Sequence, residues 1–183
     1  MNSITYRGPS LTELHEDYAK NGRIDDRAPI RARRAITIEA PVDVVWETLT
    51  GFSRWSESLE PDLKHVAAEE GVVPDAVFTR TIQRAKIVAR FAVVDENREL
   101  AWTGSSFGAN VVHRFRLEPS DEGRTRVVVE QSMAGRLLGT FFDVQKLAAS
   151  LETSLRHLKR AAEARSVEGD ATQPARGLAN DAA

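Results

Sequence analysis

A histidine lies in the apolar phase of a predicted strand in the second half of the chain. Val111, His113 and Phe115 alternate with Val112 and Arg114, and successive side chains of a strand point to opposite faces. An inward imidazole that titrates near neutrality can donate a hydrogen bond or act as a general acid or base. The alternative, which we favour, is a buried histidine bonded to a neighbouring side chain or a backbone carbonyl. In the first of these two interpretations, His113 is the candidate catalytic residue.

Two further polar residues share a phase with apolar neighbours. Arg80 lies between Phe78 and Ile82 at strand spacing, and an inward Arg80 would anchor a carboxylate or phenolate. In the opposite phase Arg80 points to water, and we favour this alternative because an unpaired charge is rarely buried. Gln131 shares its phase with Met133 and is the other inward polar candidate.

Established catalytic and cofactor signatures are absent from the sequence. It contains no HExxH, no GxSxG, no P-loop and no Rossmann glycine motif. It has no cysteine, which excludes disulfides, thiolate nucleophiles and cysteine-ligated metals. None of its four histidines lies at metal-ligand spacing from another, and His15 and His157 sit among polar neighbours. We therefore predict neither a metal nor a cofactor.

A long C-terminal helix is predicted over 138–165. Its apolar residues are spaced by three and four, which keeps them on one stripe, and Leu147 widens that stripe. A helix with so long an apolar stripe needs a broad apolar partner. The stripe consists of Phe141, Val144, Ala148, Leu151, Leu155, Leu158 and Ala162.

The strands before this helix supply the partner. A first strand is predicted over 34–39 and a helix over 41–50, with Pro41 at its start and Gly51 after its end. Six more strands follow, separated by turn residues, and their short connections favour antiparallel hairpins. They are predicted near 62–69, 76–83, 86–94, 98–104, 110–118 and 124–133.

An N-terminal extension precedes the first strand. Ser10 and Glu13 form a capping box, which predicts a helix over 11–21. Its apolar face, Leu11, Leu14 and Tyr18, is too small to be stable alone, so the helix should dock on the body or on a second subunit.

The rest of the extension and the C-terminal tail are predicted to lack regular structure. Residues 23–34 mix arginines with aspartates and favour a solvated linker over an arginine-rich phosphate-binding arm. The tail after residue 165 is small, polar and aperiodic. We therefore predict an extension over 1–33, a ligand-binding domain over 34–165 and a disordered tail over 166–183.

Charge and hydropathy limit the kinds of partner. The net charge of −2 selects neither nucleic acid nor an anionic membrane. The N-terminus lacks the apolar core of a signal peptide, and no apolar run reaches membrane-spanning length. We expect a cytoplasmic protein that binds no nucleic acid and does not insert into a membrane, and a homodimer is left open.

Several segments together resemble the START/Bet v1-like superfamily, in its branch of polyketide cyclase/dehydrase and lipid-transport-like proteins. ITIEAPVDVVWETL at 36–49 with FSRW at 52–55 is similar to the family's opening strand and helices. LAWTG at 100–104, HRFRLEP at 113–119 and GRTRV at 123–127 are similar to its later strands. The stretch SESLEP at 56–61 departs from the family, where many relatives carry a second tryptophan and a proline beside the pocket mouth.

The resemblance implies an α+β helix-grip fold, in which a curved seven-stranded antiparallel sheet wraps around the long C-terminal helix. An apolar cavity is expected between the two, and Trp102 either lines it or belongs to the simple core. The candidate ligand-binding residues are Trp55, Phe78, Arg80, Phe91, Trp102, His113, Phe115, Gln131, Met133, Phe141 and Phe142.

Three functions of different class fit this pattern. The first is binding of a hydrophobic small molecule such as a lipid, a polyketide or an aromatic metabolite. The second is a polyketide cyclase or dehydratase type of enzyme that uses His113 as acid or base, where the cavity folds a reactive chain and few groups move protons. The third is a protein-interaction module with a filled core.

Overall fold

The computed structural model describes residues 6–51, 63–67, 70–82, 85–106, 108–135 and 143–172. Within these ranges, some residues are described by their backbone alone. They are residues 63–67, 80–82, 85–86, 106 and 169–172.

Seven strands form one antiparallel sheet. They are β1 (Ile30–Ile38), β2 (Leu63–Ala67), β3 (Val77–Ile82), β4 (Ala85–Asp95), β5 (Glu99–Ser106), β6 (Ala109–Pro119) and β7 (Thr125–Gly135). Their order is β1-β7-β6-β5-β4-β3-β2, so β2 to β7 form a meander and β1 pairs with the last strand. Turn residues with positive φ, Asn97 between β4 and β5 and Gly123 between β6 and β7, allow the tight reversals.

Within the described ranges, three helical segments accompany the sheet. The first, α1, combines an α-helical turn (Leu11–Glu13), a π-helical turn (Leu14–Tyr18) and a 3-10 turn (Ala19–Asn21). Both hydrogen bonds of the predicted capping box are present at its start. The others are α2 (Val42–Thr50) and α3 (Val144–Thr172). Among the described residues, no helix is both long enough and apolar enough to span a membrane.

The long helix α3 lies along the inner face of the sheet, as the helix-grip fold requires. Leu151, Leu155 and Leu158 are buried and belong to one core cluster with residues of β1, β3 to β7 and α2. Val144 of the predicted stripe is exposed, whereas Leu147 and Ala148 are buried. Phe141 lies outside the described residues.

The limits of two elements differ from the sequence predictions. β1 begins at Ile30, so Arg31, Arg33 and Arg34 of the predicted linker lie on a strand. The reason is that β7 continues to Gly135 and offers each upstream residue of β1 a backbone partner, as in the pair Ile30 and Met133. This pairing outweighs the charge pattern that favoured a linker.

The long helix also starts and ends later than predicted. The carboxylate of Asp143 accepts the backbone N–H of Lys146 at 2.8 Å, which caps α3 at Val144 and not at the predicted 138. At its other end α3 continues to Thr172, so the predicted disordered tail is wrong for residues 166–172. Residues between Arg165 and Gly169 include no helix breaker, and the helix propagates through them.

The N-terminal segment packs on the outer face of the sheet of its own chain. Leu14 and Ala19 of α1 form a second buried cluster with Ala92 of β4 and Val112 of β6. Leu11, which was predicted to share this apolar face, is 38% exposed. The N-terminal segment therefore packs on the outer face of the sheet, opposite the face on which α3 lies.

Candidate aromatic and imidazole site

Four residues on four adjacent strands form a row on the inner face of the sheet. The register pairs Phe91 of β4 with Trp102 of β5, Trp102 with His113 of β6, and His113 with Gln131 of β7. Paired residues of adjacent strands point to the same face, and Phe91 and Trp102 belong to the core cluster that contains α3. The row therefore faces the helix, and His113 points inward as the alternation predicted.

The rings of this row and of its neighbours are in direct contact. The ring centroids of Trp102 and His113 are 4.7 Å apart and the rings are nearly parallel, at 4°. Phe78 stacks on Phe91 at 4.4 Å and meets Trp102 edge to face at 5.8 Å, while Phe115 lies 4.7 Å from His113. Such offset and edge contacts are the favourable arrangements of aromatic rings, so the cluster is an ordered apolar surface.

A single short hydrogen bond joins the two polar members of the row. His113 Nδ1 lies 2.5 Å from Gln131 Oε1, and the two residues are only 5% and 9% exposed. A carbonyl oxygen accepts and does not donate, so Nδ1 carries the proton. In a neutral ring Nε2 is then the basic nitrogen, and the Gln131 contact selects this tautomer.

The arrangement gives one titratable group with a defined orientation inside an apolar surface. The Trp102 stack restricts the tilt of the imidazole, and the Gln131 bond restricts its rotation. A substrate atom within hydrogen-bond distance of such a ring can exchange a proton with it.

The structure brings most of the predicted site residues together and leaves others aside. Met133 lies on the next inner row, opposite Val111 and Ile30, and packs on the same core while only partly buried. Arg80 pairs with Ile87 in the β3–β4 ladder, but only its backbone is described. Of the three polar candidates, His113 and Gln131 are in direct contact, and the side chain of Arg80 lies outside what the structure describes. Trp55, Phe141 and Phe142 lie outside the described residues.

Sequence reasoning missed a second buried histidine. His15 is 3% exposed, although it was placed among polar neighbours. Its Nδ1 lies 2.8 Å from the Thr103 hydroxyl and its Nε2 lies 2.9 Å from a carboxylate oxygen of Asp75. The available signal was the four-residue spacing between His15 and Ala19, which puts both on the side of α1 that faces the sheet.

Three side chains next to this histidine have the chemistry of metal ligands. In the described part of the chain, His15, Glu16 and Asp75 bring ligand atoms within 4.8 Å of one another. Lys20 bonds to both carboxylates at 3.1 to 3.2 Å, and Arg90 lies 3.3 Å from Asp75. The hydrogen bonds from His15 and Lys20 lower the pKa of Asp75 below its ordinary value. The protein's own cations thus neutralise this cluster, and its residues do not fit a metal.

The comparisons with known proteins agree with this geometry. Residues 29–163 match the family model described as polyketide cyclase/dehydrase and lipid transport. A search of the curated proteins finds no match.

Several solved structures share the fold at low sequence identity. A START superfamily protein from Mycobacterium smegmatis matches with a TM-score of 0.57 at 14% identity, covering 75% of this chain and 97% of its own. The Zhui aromatase/cyclase from Streptomyces sp. R1128 matches with a TM-score of 0.53 at 19% identity, covering 77% and 92%. A Helicobacter pylori protein matches with a TM-score of 0.62 at 15% identity, covering 91% and 97%. By its family model, this chain belongs to the polyketide cyclase/dehydrase and lipid transport family, and it shares the fold of START and Bet v1-like proteins.

Proposed function

We propose that this protein binds a hydrophobic small molecule, of the class of a lipid, a polyketide or an aromatic metabolite, between the sheet and α3. The observation that carries the proposal is the inner row of Phe91, Trp102, His113 and Gln131. This row offers a broad ring surface with one polar pair. Ligand sites of this kind are mostly apolar, with few polar groups that set orientation.

The way α3 packs supports a space for the ligand. The helix makes its close contacts mainly with β1 and α2, at one end of the sheet, whereas the aromatic cluster spans β3 to β6. Beside the aromatic row, Ala89 and Gly104 pair with each other on the next inner row. Because these small residues project least above the sheet, we propose that the ligand lies over them.

The polar pair would orient the ligand. A ligand hydroxyl or carbonyl that reaches His113 and Gln131 gains a hydrogen bond in apolar surroundings, where an unmatched polar group is costly. A flat ring system would extend the existing stack of Phe78, Phe91, Trp102 and His113. We therefore expect a ligand with a planar or extended apolar body and an oxygen atom near one end.

A cyclase or dehydratase type of enzyme is the second candidate. The observation that favours it is the fixed tautomer of His113, since a general base needs a defined basic nitrogen. The structural neighbour named as an aromatase/cyclase is consistent with this candidate. In this case His113 would exchange protons with a chain that the apolar surface folds, and Gln131 would hold the imidazole in place.

A size substitution on the inner face tests the binding proposal. Ala89→Leu places extra carbons beside the aromatic row, and Val88→Leu adds them one residue away, where the side chain is 50% exposed. Each full-length variant is purified from the native host and analysed by native mass spectrometry for a retained small molecule, and by chemical denaturation. We expect wild type and Val88→Leu to retain a small molecule, and Ala89→Leu to lose it without loss of stability.

The opposite result would favour a filled core. In a fully packed interior, Ala89→Leu costs about 1–3 kcal/mol of stability because extra carbons force neighbours apart. A wild-type protein that retains no small molecule, combined with such a loss, would overturn the proposal in favour of a protein-interaction module. The cytoplasmic location expected from the sequence stays a prediction.

A further inference from the structure

The N-terminal segment, residues 6–29, contacts the outer face of the sheet directly behind the aromatic site. Its contacts fall on Thr103 of β5, Val112 of β6 and Ser132 of β7, which are direct cross-strand partners. These three residues are 1%, 0% and 2% exposed. The segment thus crosses three strands along one row.

Each contact on this outer row is specific. His15 bonds to the Thr103 hydroxyl at 2.8 Å, and Leu14 packs in a cluster with Val112. The backbone N–H of Asp25 donates to the Ser132 hydroxyl at 3.0 Å. Buried polar groups that are paired in this way are costly to separate, because each then loses its partner away from water.

Further contacts hold the segment on either side of this outer row. The second nitrogen of His15 bonds to Asp75, which precedes β3 and is also bound by Lys20 and Arg90. The carboxylate of Asp25 accepts hydrogen bonds from the Tyr6 hydroxyl and from the backbone of Arg27. The segment therefore lies as a strap that is fastened on both sides of the outer row.

The outer row and the inner site share the same backbone. Each residue of the outer row is the chain neighbour of a residue of the inner row. The three neighbouring pairs are Trp102 and Thr103, Val112 and His113, and Gln131 and Ser132. Because strand side chains alternate between faces, a displacement of the outer row moves the inner rings with it. The Trp102–His113 stack and the 2.5 Å His113–Gln131 bond depend on that relative placement of β5, β6 and β7.

We propose that His15 is a positioning residue for the ligand site: through Thr103 it holds β5 in the register and tilt that aligns Trp102 with His113. The role in ligand binding rests on the proposed function. The alignment of Trp102 with His113 is a property of the protein without ligand and can be tested separately. A threonine hydroxyl both donates and accepts, so Thr103 can bond to the Nδ1 atom of His15 whichever of the two roles that nitrogen takes. The strap is therefore a fixed brace behind the site.

Substitutions at Thr103 test the brace without removing the strap. Thr103→Val deletes the hydroxyl and keeps the branched shape, whereas Thr103→Ser keeps the hydroxyl and serves as the conservative rescue. Leu158→Val in α3 is the control for a general loss of stability, because Leu158 is buried on the inner side. All variants are made in the full-length chain.

Two readouts separate this inference from the proposed function. The first is the Nδ1–H signal of His113 in ¹H–¹⁵N NMR of the apo protein, assigned by its loss in His113→Gln. The second is the affinity of the apolar probe 1-anilinonaphthalene-8-sulfonate, measured by fluorescence. We expect Thr103→Val to shift the His113 signal and to lower the affinity for the probe about two- to tenfold. This is the range expected for the loss of one hydrogen bond. Thr103→Ser should resemble wild type in both.

Either of two results overturns the proposal. One is a wild-type His113 signal in Thr103→Val, which would show that the outer contact does not reach the ring. The other is an equal shift in Thr103→Val and Leu158→Val, which would show loosening of the whole domain. If the probe fails to bind wild type, the binding proposal is weakened, while the His113 signal still decides the positioning role.

Discussion

The indole of Trp102 and the imidazole of His113 lie nearly parallel, 4.7 Å apart, across the β5–β6 pair on the inner face of the sheet. The hydrogen bond from His113 to Gln131 continues the same row onto β7. These contacts hold the imidazole before any ligand arrives. A preorganised polar group of this kind loses little entropy on binding, which favours either tight recognition or proton transfer.

Replacement of His113 distinguishes a binding protein from an enzyme. In a binding protein, His113→Gln should change the affinity for the retained small molecule by about 0.5–1.5 kcal/mol, the contribution of one ordinary hydrogen bond. In an enzyme that uses the imidazole for proton transfer, turnover should fall about 10²- to 10⁴-fold while stability changes little. The measurements are a titration calorimetry experiment and a turnover assay with the molecule that native mass spectrometry identifies.

The matched control for this prediction is His157→Gln on α3, which makes the same chemical change away from the aromatic row. Both affinity and turnover should stay at their wild-type values in that variant. Equal effects of the two substitutions would contradict any specific role for His113.

The core contact of α3 predicts a large effect for one leucine. Leu155 is 1% exposed, and Leu155→Ala should lower the free energy of unfolding by about 2–5 kcal/mol through lost burial and a cavity. Val144→Ala on the same helix should cost less than about 0.5 kcal/mol, because Val144 is 42% exposed. Chemical denaturation measures both, and similar values for the two variants would refute the packing described for α3.

The Tyr6–Asp25 contact predicts an alkaline change in stability. Burial, together with the hydrogen bond to the Asp25 carboxylate, raises the pKa of Tyr6 to about 12. The folded state therefore favours the neutral phenol, so this contact stabilises fully below pH 10 and loses its effect as pH rises toward 12. Tyr6→Phe should be less stable than wild type by about 1 kcal/mol at pH 8.

This difference between Tyr6→Phe and wild type should narrow between pH 10 and pH 12. Denaturation curves at several pH values provide the test. Tyr18→Phe, which leaves the Tyr6–Asp25 bond in place, is the control. A difference that does not depend on pH would show that the phenol and the carboxylate are not in contact in solution.

Removal of the strap tests whether the domain folds without it. The strands and the inner core lie at or beyond Ile30, so a chain without residues 1–28 should still unfold cooperatively. Its stability should fall by at least the ~1.5–3 kcal/mol that burial of one valine contributes, because Val112 loses its cover. Thermal unfolding followed by circular dichroism measures both properties. A broad, non-cooperative transition would mean that the strap belongs to the folding unit.

Local patterns were sufficient to predict the elements and the direction of many side chains. The three- and four-residue spacing of Leu151, Leu155 and Leu158 predicted one buried stripe, which α3 confirms. The alternation around His113 and Gln131 predicted that both face inward, and both are buried there. Each of these patterns involves only residues that are close together in the chain, so the sequence alone contains all the information needed to recognise it.

The limits of the elements were less accessible, because they depend on partners far away in the chain. β1 extends back to Ile30 only because β7 supplies backbone groups as far as Gly135. The charged residues around Arg31 contain no sign of that pairing. In contrast, the N-cap bond of Asp143 is local and was available to the sequence analysis.

The composition of the site was decided by tertiary structure. Alternation has a period of two, so a slip of two residues between β6 and β7 would keep His113 inward and give it another partner than Gln131. Only the observed register brings the imidazole, the amide and the indole of Trp102 into one row. In the same way, no local pattern places His15 behind Thr103, because that contact requires the N-terminal segment to cross strands far from it in sequence. Residue type and face are local properties of a chain, whereas the identity of a neighbour is a property of the assembled sheet.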